Sequence, residues 1–174
     1  MDYFLIRDNK RCCNKPQFLN LFQQFDERAL MKQDYWKIPY RTLLEVSTNE
    51  QLDFVDIISS PLFILSKLTM KITSIFEPNL EWKQMISVER KHGKVNQYFL
   101  PLLPWVDCLH ESSVINQDRS RISNCCLIKS KIPDKAIFYL DGLNTRNVIL
   151  REDLLEGLMK FKVYGVLYES IRLI

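Results

Sequence analysis

The chain has 174 residues, 47% of them apolar and 26% charged, with 24 basic against 21 acidic side chains and a formal net charge of +3. A chain of this length hides about 70% of its unfolded surface, enough for a real core, and its composition excludes a disordered polymer. The small net charge makes no electrostatic case for nucleic acid or an anionic membrane. No apolar run approaches the roughly 18 residues of a membrane-spanning helix.

Residues 1–7 carry an acid at position 2 and lack the basic segment, long apolar core and small-residue cleavage site of a secretory signal. A cytoplasmic location is therefore expected. The five cysteines, Cys12, Cys13, Cys108, Cys125 and Cys126, are odd in number, and four form adjacent pairs that bridge only with strain. No disulfide framework is legible.

In chain order, residues 3–7 read as a first strand and 8–17 as a polar loop broken by Pro16. Phe18, Leu21, Phe22 and Phe25 fall at helical spacing and predict a short helix or turn with an apolar face. Tyr35, Trp36 and Tyr40 cluster around Pro39 in an extended segment, since the residue before proline avoids helix. Residues 43–46 are strand-like, and 49–57 form a brief connection.

The stretch from 59 to 100 organises the rest. Ser59-Ser60-Pro61 is a helix start: a serine oxygen caps free N–H groups, and proline has no N–H to leave unpaired. Leu62, Leu65, Leu68, Ile72 and Phe76 recur at three- and four-residue steps, which predicts one long amphipathic helix over about 60–77 that Pro78 ends. Residues 82–88 and 95–100 then read as a hairpin around the turn Lys91-His92-Gly93-Lys94.

Beyond the hairpin, Pro101 and Pro104 keep their segment out of a sheet interior, because proline donates no ladder bond. Residues 106–109 form a short strand, 110–120 a polar loop, 122–128 a strand and 130–135 a turn. Strands at 136–140 and 147–150, a short helix at 151–160 and a last strand at 163–171, bent near Gly165, complete the chain. No internal repeat is visible. The sum is a single α+β domain over 1–174, mainly antiparallel sheet, with one long helix and one or two short ones.

Three chemistries are weighed against blander readings. Cys108, His110, Cys125 and Cys126 match zinc in number and type, yet zinc modules space their cysteines by two to four residues. Adjacent cysteines in a strand point to opposite faces, so small buried residues explain them better, and no metal is expected. No Gly-x-Ser-x-Gly turn supports a serine nucleophile. Cys108 and His110 share a face if extended, which keeps a thiol-dependent hydrolase as the alternative reading. No glycine-rich loop opens a helix, so no phosphate-bearing cofactor is expected. The aromatic residues Tyr35, Trp36, Tyr40 and Trp105 fit two roles: anchors for a protein partner, or a cover over the sheet.

The run Ser59-Ser60-Pro61-Leu62-Phe63-Ile64-Leu65-Ser66, the hairpin end Tyr98-Phe99-Leu100-Pro101-Leu102, and Asp107-Cys108-Leu109 with Ser112-Ser113 resemble the small immunity proteins of bacterial polymorphic toxin systems. Val148-Ile149-Leu150-Arg151-Glu152-Asp153-Leu154-Leu155 running into Tyr164-Gly165-Val166-Leu167-Tyr168 resembles that family's closing strand, short helix and glycine-bearing strand. The resemblance covers roughly residues 35–170 and departs at Lys162 and Val163, where the family often has a second glycine. It implies a cytoplasmic, non-enzymatic protein that binds and neutralises a cognate toxin by steric inhibition, and it carries no catalytic residues. The expected contact residues are Tyr35, Trp36, Tyr40 and Trp105 with the loop from His110 to Arg121, which includes Arg119.

Overall fold

The computed structural model describes residues 1–31 and 34–174. Strand β1 (Tyr3–Asp8) is followed by two single-turn helices, α1 (Leu21–Gln24) and α2 (Arg28–Met31), and a 3-10 turn at Tyr35–Lys37. Then come β2 (Arg41–Glu45), β3 (Ile57–Ile58), β4 (Ile64–Ser66), α3 (Lys67–Phe76) and the hairpin of β5 (Trp82–Glu89) and β6 (Lys94–Pro101). Four short strands follow: β7 (Trp105–Val106), β8 (Val114–Ile115), β9 (Ile122–Asn124) and β10 (Cys126–Leu127). The chain closes with β11 (Ile137–Leu140), β12 (Val148–Arg151), α4 (Glu152–Lys160), β13 (Val166–Ser170) and β14 (Arg172–Leu173).

This corrects the expected fold class. The protein is mainly β, and among the described residues no helix is longer than the 10 residues of α3. The first third of the predicted 60–77 helix is instead loop and strand. Ile64 and Leu65 point to opposite faces of a sheet, one into each of two separate apolar clusters, so their burial is that of a strand. The helix starts only at Lys67, where Ser66 accepts from Thr69 N at 3.3 Å. That is the capping role expected of Ser59 or Ser60, six or seven residues too early. Leu68, read as part of the buried stripe, is 42% exposed.

Two five-stranded sheets form the body. The first has the order β13-β1-β12-β11-β7, the second β2-β5-β6-β4-β3. β7 runs parallel to β11 and β2 parallel to β5, and the other neighbours are antiparallel. Connectivity repeats although the sequence does not. In one half, β3 and β4 form a hairpin, β4 runs straight into α3, and the chain returns as β5 with β6 between β4 and β5. In the other, β11 and β12 form a hairpin, β12 runs straight into α4, and the chain returns as β13 with β1 in between. Each is a helical crossover between parallel strands split by one antiparallel strand.

Each sheet carries an apolar cluster on both faces, while Leu43 on edge strand β2 and Leu167 on edge strand β13 are left exposed. Along β11, Ile137 and Tyr139 enter the central cluster, while Phe138 and Leu140 enter the outer one. The central cluster also takes Ile57 and Leu65 from the second sheet, Ile72 from α3, and Leu154 and Leu158 from α4. A third cluster lies on the far face of the second sheet, where Leu21, Phe25 and Leu30 pack on Leu44, Met85 and Tyr98. Each large side chain removed from water here contributes about 1.5–3 kcal/mol before its entropy cost. One polar residue fastens the central layer. Glu77, 8% exposed just past α3, accepts from Ala136 N at 2.5 Å and Lys135 Nζ at 3.1 Å. It thereby ties the end of α3 to the start of β11.

Candidate functional site

The aromatic segment before β2 is held from below and open above. Asp34 O accepts from Lys37 N at 2.9 Å, closing the short turn, and Ile38 before Pro39 returns to extended backbone. Ile38 is buried among the residues on the second sheet's far face, and the Tyr35 hydroxyl donates to Leu103 O. Burial of Tyr35 pushes its phenol up to about 12. With those two anchors pointing inward, Trp36 projects into solvent at 79% exposure and Tyr40 at 65%. Lys37 Nζ lies 5.2 Å from the Trp36 ring centre and 2.8 Å from Asp34 Oδ2.

Tyr40 sits where β2 begins. Its carbonyl accepts from Gln84 N at 2.8 Å, and Arg41 Nε donates to Gln84 Oε1 at 2.9 Å. β2 is an edge strand with β5 on one side only. At Glu45 the outer edge is closed: Glu45 N donates to Asn20 Oδ1, and Glu45 O accepts from Leu19 N. By strand alternation the backbone groups of Arg41 and Leu43 point the same way, and no described residue pairs with them. Leu43 on this strand, and Leu19 and Phe22 on the segment bonded to its outer edge at Glu45, are also exposed. The sequence contains all three but gives no sign of their exposure. Phe22 belongs to a helical stripe of which only Leu21 and Phe25 are buried.

The other expected contact residues lie elsewhere. Trp105 belongs to the central layer: its ring lies 5.0 Å from that of Tyr139, and Nε1 donates to Leu30 O at 3.0 Å. Tyr35 is half-buried beneath Trp36. Arg119 is a structural pin. Its Nε donates to Gly142 O at 2.7 Å, its carbonyl accepts from Asn144 N at 2.9 Å, and its backbone has φ 55°. With Asn144 Nδ2 on Asp118 O, these bonds fasten the 116–121 loop to the β11–β12 connection. Arg121 is exposed on that loop, and His110 pairs its Nδ1 with Ser112 Oγ at 2.8 Å. This second group lies over the outer face of the first sheet, whereas Trp36 and Tyr40 stand beside the second. The expected set is thus two separate surfaces and a piece of core.

The thiol arrangement provides no activated nucleophile. Cys108 is fully buried beside Ile122 and Leu127, and burial, with the nearby Asp107 charge, pushes its thiol up to about 11. A cysteine nucleophile needs the opposite shift. His110 is engaged with Ser112 and makes no hydrogen bond to Cys108. All five cysteines are free thiols. Among the described residues no group of three or more His, Cys, Asp or Glu is placed to hold a metal ion, and no helix is long and apolar enough to cross a membrane. In the native protein at neutral pH, an alkylating agent is expected to label exposed Cys13 readily while Cys108, Cys125 and Cys126 stay unmodified until unfolding. Rapid labelling of Cys108, read by peptide mass mapping, would return the thiol hydrolase to consideration.

No protein-family model matches the chain, and no curated protein matches it.

Proposed function

We propose that this protein is a cytoplasmic binding protein that neutralises a cognate bacterial toxin by steric inhibition, without turnover, docking through the surface that carries Trp36 and Tyr40. The observation that carries the reading is Trp36, a large aromatic at 79% exposure on a segment whose neighbours Tyr35 and Ile38 are anchored inward. An exposed tryptophan on a rigid base loses little entropy when a partner covers it, and tryptophan is enriched among the residues that dominate interfaces. Tyr40, four residues on and 65% exposed, adds apolar area on the same segment, toward the roughly 800 Å² per partner of a standard interface. The resemblance to immunity proteins supports the choice of a toxin as partner.

The test begins with the proteins encoded beside this one. One of them should be toxic when produced alone, harmless when produced with this chain, and recovered in a stoichiometric complex. Trp36→Ala should then weaken that complex by about 2 kcal/mol, near thirty-fold, while changing unfolding stability by less than about 0.5 kcal/mol. A complex that forms equally well with the alanine variant would move the interface away from this surface.

A further inference from the structure

A cavity of about 340 Å³ opens at the rim of the central layer, beside the exposed aromatics. Tyr35, the inward neighbour of Trp36, forms one wall, and Leu80, Leu102 and Ile137 line the rest of the apolar surface. Glu81, also on the wall, lies three residues before Gln84, the partner of Tyr40. Tyr35 is thus shared between this cavity and the short turn that presents Trp36.

The charges in this hole do not balance. Glu77 and Lys135 both line it, but they are spent on each other at 3.1 Å, and the second Glu77 oxygen is taken by Ala136 N. The Glu81 carboxylate makes no hydrogen bond or ion pair with any described residue, although its backbone carbonyl accepts from Leu102 N at 3.0 Å. What remains is a largely aliphatic and aromatic cavity, with Asn79 as a neutral polar neighbour and the solvent-exposed Glu81 carboxylate at its wall, a charge that a docking partner would cover. An aspartate or glutamate side chain would meet like charge there, and a purely aliphatic one would leave the carboxylate partly desolvated without a partner. A long aliphatic stem ending in a cation satisfies both parts. Arginine fits better than lysine, because its planar guanidinium both stacks on a phenol ring and pairs bidentately with a carboxylate.

We propose that this cavity receives an arginine side chain of the partner protein, its stem against Tyr35 and Leu102 and its guanidinium on Glu81. The inference rests on the binding role proposed above and names the chemistry that the partner presents to it. Its test needs no partner. N-acetyl-arginine amide is titrated into the isotope-labelled protein and followed by amide chemical shifts, with N-acetyl-norleucine amide and N-acetyl-glutamate amide as comparators. Saturable shifts are expected at Glu77, 79–81, 102–103 and 135–137 with the arginine probe, and binding about five-fold weaker or more for the other two. Glu81→Gln, at an exposed position, should leave the spectrum otherwise native and remove most of that preference. Absence of saturation, shifts centred elsewhere, equal binding of the norleucine probe, or an unchanged preference in Glu81→Gln would each overturn the proposal. If the arginine probe fails while toxin neutralisation persists, only the cavity assignment falls. If the probe binds but no neighbouring toxin is neutralised, it is the inhibitor reading that fails.

Discussion

Replacing Gly165 with alanine is expected to destabilise the protein by about 4 kcal/mol, among the largest effects available to a single methyl group. Gly165 has φ +123°, and a Cβ built there would lie 2.2 Å from Ile57 O and 3.1 Å from Val55 Cβ. The obstacle is backbone on a buried strand, which has no free rotamer to move away. This is the seam between the two sheets: Tyr164 O accepts from both Asp56 N and Ile57 N at 3.1 Å, joining the approach to β13 to the edge strand β3. Tyr164 reinforces it through a 2.7 Å bond from its hydroxyl to Asp53 Oδ1, which together with burial raises its phenol to about 12. Gly93 is the control. It too has positive φ, +65°, in the turn between β5 and β6, but nothing lies within 4 Å of its Cβ position. Gly93→Ala should cost only about 1 kcal/mol, the backbone term alone. Urea unfolding of the two variants separates strain from collision, and equal losses would mean that the seam is looser than drawn.

That seam also shows what the sequence could and could not convey. Gly165 was legible as a bend in the last strand, but not as a contact with a segment over a hundred residues away. The β5–β6 hairpin is readable because its turn, Lys91-His92-Gly93-Lys94, supplies the positive φ at Gly93 and its strands pair in a single register over eight residues. The short helix expected at 151–160 is found at Glu152–Lys160, where Leu154, Leu155 and Leu158 form the buried side. The long helix failed for a specific reason. Strand β4 is buried on both faces through Ile64 and Leu65, and with Phe63 just before it the run is continuously apolar, which satisfies a helical template as readily as a strand one. Likewise 122–128, expected as one strand, is divided: Ile122 to Asn124 pairs with β8, and Cys126-Leu127 lies parallel to β14. The parallel neighbours β2 with β5 and β7 with β11 leave no local mark at all, because each is set by distant packing.

Trp105 and Trp36 were indistinguishable by residue type and loop context, and their substitution should separate them sharply. Trp105→Ala is expected to cost about 3 kcal/mol in unfolding free energy, because it empties a place in the central layer. It removes the ring that lies 5.0 Å from Tyr139 and leaves Leu30 O without the Nε1 donor. Trp105→Phe should recover most of that, retaining an aromatic contact and losing about 1 kcal/mol for the missing hydrogen bond. Trp36 has no such position to vacate. Its recorded ring contact is Lys37 at 5.2 Å, an exposed cation–π pair worth about 0.5 kcal/mol. The two tryptophans therefore report on different links of the chain: Trp105 on packing, Trp36 on recognition. Unfolding curves for both alanine variants, measured beside toxin binding for both, decide the assignment. If Trp36→Ala proved the less stable of the two, the segment would be a cover over the sheet, and the binding surface would have to be sought on the Arg121 side of the molecule.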